Sequence, residues 1–234
     1  MGNHEGIAPN EGEGTINRVF REHGLSIVLF SLFFVTLAGQ SVTGLREKNQ
    51  DLKEHGHAEM TYGTYLTSGH FIEGVFENWE SEFLQMSSYV LLTIWLRQKG
   101  SAESKKLTGE EDVDKDPRGS RRKDAPWPVR RGGWVLGLYE NSLSLAFVAL
   151  FLVSFFLHAV GGTTEFNQEA IAHGSPPVST ATYVSTARFW YESLQNWQSE
   201  FLATGAIVFL SVFLRQRGSP ESKPVDSPHS ETPG

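Results

Sequence analysis

Cysteine is absent from the 234 residues. Disulfides, thiolate metal sites and cysteine nucleophiles are therefore excluded. Basic charge is in deficit: Lys and Arg number 20 against 27 Asp and Glu, for a formal net charge of −7. A nucleic-acid binder carries the opposite balance, so nucleic acid is not expected as a partner. No phosphate loop, zincin pair, nucleophile elbow or dinucleotide fingerprint occurs in the chain, so the sequence indicates no enzyme class and implies no cofactor. Three stretches also lack any apolar face. Residues 1–17 are rich in Gly and Glu, residues 99–131 mix both charge signs with Gly, Pro and Ser, and residues 218–234 are rich in Ser and Pro. Such segments bury too little apolar area to offset the entropy of ordering, and all three are expected to be disordered.

The apolar residues are gathered into four blocks. Leu25 to Gly44 and Asn141 to Gly162 carry no Asp, Glu, Lys or Arg. A bilayer core of ~30 Å needs about 20 helical residues, so each is long enough to cross. Phe83 to Leu96 and Phe201 to Leu214 are equally uncharged but shorter, covering ~21 Å at 1.5 Å per residue. Read alone, they could be buried or re-entrant segments.

An internal repeat decides for crossing. Residues 22–105 align onto 140–223 without a gap. NWESEFL (Asn78 to Leu84) meets NWQSEFL (Asn196 to Leu202), and LRQKGSAESK (Leu96 to Lys105) meets LRQRGSPESK (Leu214 to Lys223). Glu47, Asn49, Gln50, His55 and Gly56 meet Glu165, Asn167, Gln168, His173 and Gly174. The unit repeated is one long and one short block. Basic residues cluster on one side: Arg18, Arg21, the 97–131 stretch, Arg215, Arg217 and Lys223, against Arg46, Lys48, Lys53 and Arg188 on the other. The positive-inside rule then places both termini and the central linker in the cytoplasm, which requires the short blocks to cross as well. The expected fold is all-α: an integral membrane four-helix bundle built from two tandem helical hairpins. The first hairpin spans 18–98 and the second 132–217, joined by the cytoplasmic linker 99–131 and flanked by the tails 1–17 and 218–234. His55-Gly56 and His173-Gly174 read as helix stops, the latter followed by Pro176-Pro177, and Ser68 and Thr186 as helix caps.

The strings HFIEGVFENWESEFLQM and FLRQRGSPESK resemble a family of small bacterial membrane proteins described as a domain of unknown function. The resemblance covers roughly residues 20–107 and 137–225. It implies a bacterial inner-membrane location and a helical-hairpin repeat. It carries over no catalytic residue.

Candidate functional residues are polar groups at the membrane. Gln40, Glu82, His158 and Glu200 all fall ~21–22 Å above the inner boundary at 1.5 Å per residue. Intramembrane carboxylates turn away from lipid, so these four could form a polar layer that shares protons or takes a cation; the plainer reading is a locally thin bilayer in which the carboxylates reach water, or a role as inter-helix glue. His70, Glu73, Glu77 and Glu80 recur at spacings of three or four and share a helix face. That stripe could ligate a divalent metal. The plainer reading is a solvated helix face, favoured by Arg188, Tyr191, Gln195 and Gln198 at the matching positions of the second repeat. Trp79, Trp197, Trp127 and Trp134 read as interfacial anchors, and Arg97 and Arg215 as cytoplasmic ones.

The sequence therefore supports a multi-pass membrane protein of structural or accessory type, in contact with the bilayer and with further copies of itself or another membrane complex. Two alternatives are a small oligomeric proton or cation transporter working through the polar layer, and a metal-binding protein of the outer face.

Overall fold

A computed structural model describes residues 15–120 and 122–233. Every regular element among them is helical: α1 (Thr15–Glu54), α2 (Tyr62–Tyr65), α3 (Gly69–Trp95), α4 (Trp127–Arg131), α5 (Gly133–Glu140), α6 (Ser142–Ala172), α7 (Thr180–Val184) and α8 (Ala187–Phe213). Two of them, α1 and α6, are long and apolar enough to cross a membrane by length and composition. The expected stops and caps are present. Gly56 and Gly174 follow α1 and α6 with φ of 75° and 73°, a left-handed conformation that glycine adopts without strain. Ser68 and Thr186 accept hydrogen bonds from the amides of Phe71 and Phe189 at the starts of α3 and α8. Thr61 and Ser179 cap the one-turn helices α2 and α7 in the same way.

The chain divides into two compact units, Met1–Thr67 and Ser68–Gly234. In the first, the Asn49 side chain donates to the Met60 carbonyl at 3.1 Å and accepts from the Met60 amide at 2.7 Å. This clamps the chain after α1 back onto the helix. Tyr65 is buried beneath Gly44, where an added Cβ would lie 2.1 Å from the Tyr65 hydroxyl. Residues such as Phe30, Phe34 and Val35 of α1 are exposed.

In the second unit α3 packs along α6 and also against α8. Small residues permit the close approach of α3 to α6. A Cβ added at Gly69 would stand 2.7 Å from the Glu165 amide nitrogen and the Gly161 carbonyl oxygen, and one at Gly161 would stand 2.7 Å from the Glu73 amide nitrogen. Ala159, Tyr183 and Phe189 form a buried core ringed by Phe155, Phe166, Val178 and Val184. The Asn clamp recurs here: Asn167 donates to the Val178 carbonyl at 2.9 Å and accepts from its amide at 2.7 Å.

The linker and the C-terminal tail differ from the expectation of disorder. Residues 112–114 and 117–119 form 3₁₀ turns, and 127–131 is helical. Ser101, fully buried, shares a hydrogen bond with Ser211 of α8 at 2.9 Å. The Gly100 amide donates to Thr232 at 2.8 Å. The buried Lys223 ammonium donates to the carbonyls of Pro228, His229 and Glu231 at 3.0, 3.1 and 2.9 Å. Composition weighs only apolar burial; here an ammonium with three donors finds three acceptors, which orders a loop without an apolar face. Of the N-terminal segment 1–17, residues 1–14 lie outside the described residues and 15–17 begin α1.

Candidate functional site

The stripe on α3 faces inward. Glu73 and Glu80 are buried, with Glu80 fully enclosed, and Glu77 and His70 are half-buried. The reading of a solvated helix face is therefore corrected. The same carboxylates that would suit water instead meet polar partners from α6 and α8. His158, also fully enclosed, places Nδ1 2.8 Å from Glu80 Oε2. The Trp197 indole donates to the other oxygen of Glu80 at 2.9 Å. Each oxygen of a buried carboxylate is thus satisfied, which its desolvation requires.

His158 is held in place on its other side. Its ring stacks on Phe189 with centroids 4.7 Å apart and planes inclined by 24°. Nε2 makes no hydrogen bond and points at Glu192, 3.7 Å from Oε2. The Tyr183 hydroxyl bridges two carboxylates, 3.1 Å from Glu73 Oε1 and 2.7 Å from Glu192 Oε2. Arg188 donates through Nε to Glu192 Oε1 at 2.9 Å and through its terminal nitrogens to Glu169. Glu73, His158 and Glu192 each turn one donor atom to a common point, with all three atoms within 4.8 Å of one another. Gly162 makes room for this convergence. A Cβ there would lie 2.5 Å from the Tyr183 hydroxyl and 2.9 Å from Glu73 Oε1.

Glu73, Tyr183 and Glu192 lie outside the four apolar blocks, and their environments set their acidities apart. Burial pushes the Glu73 carboxyl up to about 7, with the charge of Glu192 adding to it. Burial acts on Glu192 in the same sense, but the facing His158, Tyr183 and Arg188 outweigh it and hold its carboxyl below the usual range. Burial also raises the Tyr183 phenol, so it remains a hydrogen-bond donor.

The expected polar layer is only partly assembled. His158 is at the centre, but its partners are Glu80 and Glu192 in place of Glu82 and Glu200. Glu82 is exposed and Glu200 half-buried, while Gln40 is exposed on α1. Two residues along a helix turn a side chain by about 200°, so α3 can present Glu80 or Glu82 to α6 and not both. Trp197, read as an interfacial anchor, is a hydrogen-bond donor to the cluster. Trp79 packs edge-on against Phe76 and Phe83 with centroids 5.0 and 6.5 Å away. Trp127 and Trp134 are exposed on α4 and α5. Arg97 and Arg215 close their helices alike, each donating through one terminal nitrogen to the last carbonyls, of Thr93, Ile94 and Leu96 and of Ser211, Val212 and Leu214.

Sequence reasoning missed Glu192, Tyr183 and Arg188. A signal was there. Glu192 stands where the first repeat has Gly74, and it lies one turn after Arg188.

No curated protein and no solved structure matches the chain. Residues 16–234 match the family model of a domain of unknown function, DUF6766, and the chain belongs to that family.

Proposed function

We propose that the protein is a four-crossing membrane protein with cytoplasmic termini, and that its second unit holds a cation between α3, α6 and α8. The two long crossings are α1 and α6. The other two are the C-terminal parts of α3 and α8, Phe83 to Leu96 and Phe201 to Leu214, which the repeat and the placement of Lys and Arg support. Residues 99–131 then lie on the cytoplasmic side of an inner membrane.

The observation that carries the cation reading is His158 Nε2. It is enclosed, makes no hydrogen bond and stands 3.7 Å from the Glu192 carboxylate. Ionisable groups taken out of water cost several kcal/mol each unless fully paired. A purely structural helix pair would be served better by apolar side chains, whereas a cation among Glu73, Glu192 and His158 supplies the missing interaction. Glu192, the most exposed of the three, marks the side from which the ion arrives.

The test uses the full chain purified in an uncharged detergent. Its thermal unfolding midpoint is recorded with added Na⁺, K⁺, Mg²⁺, Ca²⁺, Mn²⁺ and Zn²⁺, beside that of Glu192→Gln. A ligand at a hundred times its Kd adds about 2.7 kcal/mol to stability. At least one cation is therefore expected to raise the wild-type midpoint by several degrees and to leave Glu192→Gln unmoved. A wild type indifferent to every one of these ions would reduce the cluster to a packing device and return the protein to the accessory class.

A further inference from the structure

We infer that the cation is a divalent first-row transition-metal ion, bound by Glu73 Oε1, His158 Nε2 and Glu192 Oε2. This rests on the cation reading above and specifies its chemistry. Three independent features of the cluster point the same way.

The first is the donor set. Two carboxylate oxygens and one imidazole nitrogen form a mixed set, which suits zinc, manganese, iron or cobalt; calcium and magnesium take oxygen ligands alone. Soft thiolate chemistry is excluded because the chain has no cysteine. Two carboxylate ligands also offset the double charge of the ion.

The second is the state of the imidazole. Metal-binding histidines characteristically give their other nitrogen to a carboxylate, which fixes the tautomer and raises the basicity of the ligating nitrogen. His158 has this arrangement: Nδ1 is engaged by Glu80, and Nε2, in a fully buried side chain, makes no hydrogen bond and faces Glu192. Glu80 is itself fixed by the Trp197 indole. Without an ion, the enclosed Nε2 faces Glu192 at 3.7 Å with no hydrogen bond, and a buried polar atom without a hydrogen bond is costly.

The third is the positioning of the carboxylates. The oxygens offered to the ion are the two bridged by the Tyr183 hydroxyl, while the second oxygen of Glu192 is held by Arg188. The three donor atoms lie within 4.8 Å of one another. Metal bonds of about 2.0–2.2 Å draw such atoms somewhat closer, which side-chain rotation supplies. Three protein ligands leave at least one coordination position for water or a further ligand.

The experiment measures binding of Zn²⁺ and Co²⁺ to the full chain in detergent after removal of loosely held ions by desalting. Expected is one ion per chain, with visible ligand-field absorption for Co²⁺. His158→Gln and Glu192→Gln should each weaken binding by at least about 100-fold. Glu80→Gln, which acts through the imidazole, should weaken it by about 10–100-fold. Glu82→Gln should leave it unchanged. Where a variant fails to fold, the wild type still decides: Co²⁺ bound with nitrogen coordination from ¹⁵N-labelled histidine supports the assignment, and Co²⁺ bound through oxygen alone contradicts it. Full binding by folded His158→Gln would place the ion at surface histidines and overturn the inference. No retained transition metal, with a midpoint that still responds to Na⁺, K⁺, Mg²⁺ or Ca²⁺, would overturn the metal and leave the cation reading standing. No response to any ion would remove both.

Discussion

Asn49 grips Met60 and Asn167 grips Val178 through the same pair of hydrogen bonds. Tyr65 lies beneath Gly44 as Tyr183 lies beneath Gly162. Ser68 and Thr186 cap α3 and α8, which end in the same way on Leu96 and Leu214. Each of these pairs is separated by 118 positions in the sequence. The imidazole and the carboxylates at the centre of the cluster do not match. His158 stands opposite Gln40, Glu80 opposite Gln198, Glu73 opposite Tyr191, and Glu192 opposite Gly74. The matching positions keep the clamps, the tyrosines and the helix caps, and the buried imidazole between carboxylates has no counterpart at position 40.

The largest effect expected from breaking this asymmetry is at His158. His158→Gln removes the partner of a buried carboxylate and should cost about 3–5 kcal/mol. Gln40→His, at the exposed matching position, should stay within about 0.5 kcal/mol. Unfolding in graded mixed micelles measures both, and equal losses would mean that His158 has no special partner. Gly162→Ala comes next. Its Cβ would push Tyr183 away from Glu73, and overpacking of this kind costs about 1–3 kcal/mol. Gly39→Ala, with open space around it, is the control and should be neutral or mildly stabilising.

The shared scaffold should respond alike in both halves. Asn49→Ala and Asn167→Ala each delete two hydrogen bonds, worth about 1–2 kcal/mol together. A loss confined to one of them would show that the matching geometry hides different energetics. The smallest effect is expected in the linker. Deleting Gly109 to Asp124 removes mainly exposed residues and should change the unfolding free energy by less than about 0.5 kcal/mol. Loss of folded protein from detergent extracts would show that this stretch holds the helices together.

Much of the frame could be read from the residues. The apolar blocks predicted α1 and α6, Gly56 and Gly174 predicted where those helices stop, and Ser68 and Thr186 predicted where α3 and α8 begin. Each of these signals is local, because a cap or a stop depends on a few neighbouring residues. The site was legible in pieces. His158 was marked by its depth in an apolar block, and Glu73 by its helical spacing from His70 and Glu77. What could not be read was the face that α3 turns inward. A stripe of carboxylates satisfies water as well as it satisfies an imidazole, and nothing in α3 itself announces that α6 brings one. Glu192 was missed because its partners Tyr183 and Glu73 come from other elements. The tail was misjudged for a related reason: Lys223 is ordered by carbonyl groups, which every residue carries and composition does not reveal.

The central claim is that the α3 carboxylate stripe is enclosed between helices. It is tested most directly by carbodiimide labelling of the purified protein at neutral pH, with the modified carboxylates located by mass spectrometry. Glu59 and Glu169, whose side chains are 50% and 46% exposed, serve as references. The account predicts rapid modification of these two, with Glu73 and Glu80 protected until the protein is unfolded. Modification of Glu80 at the rate of Glu59 in the folded protein would contradict it.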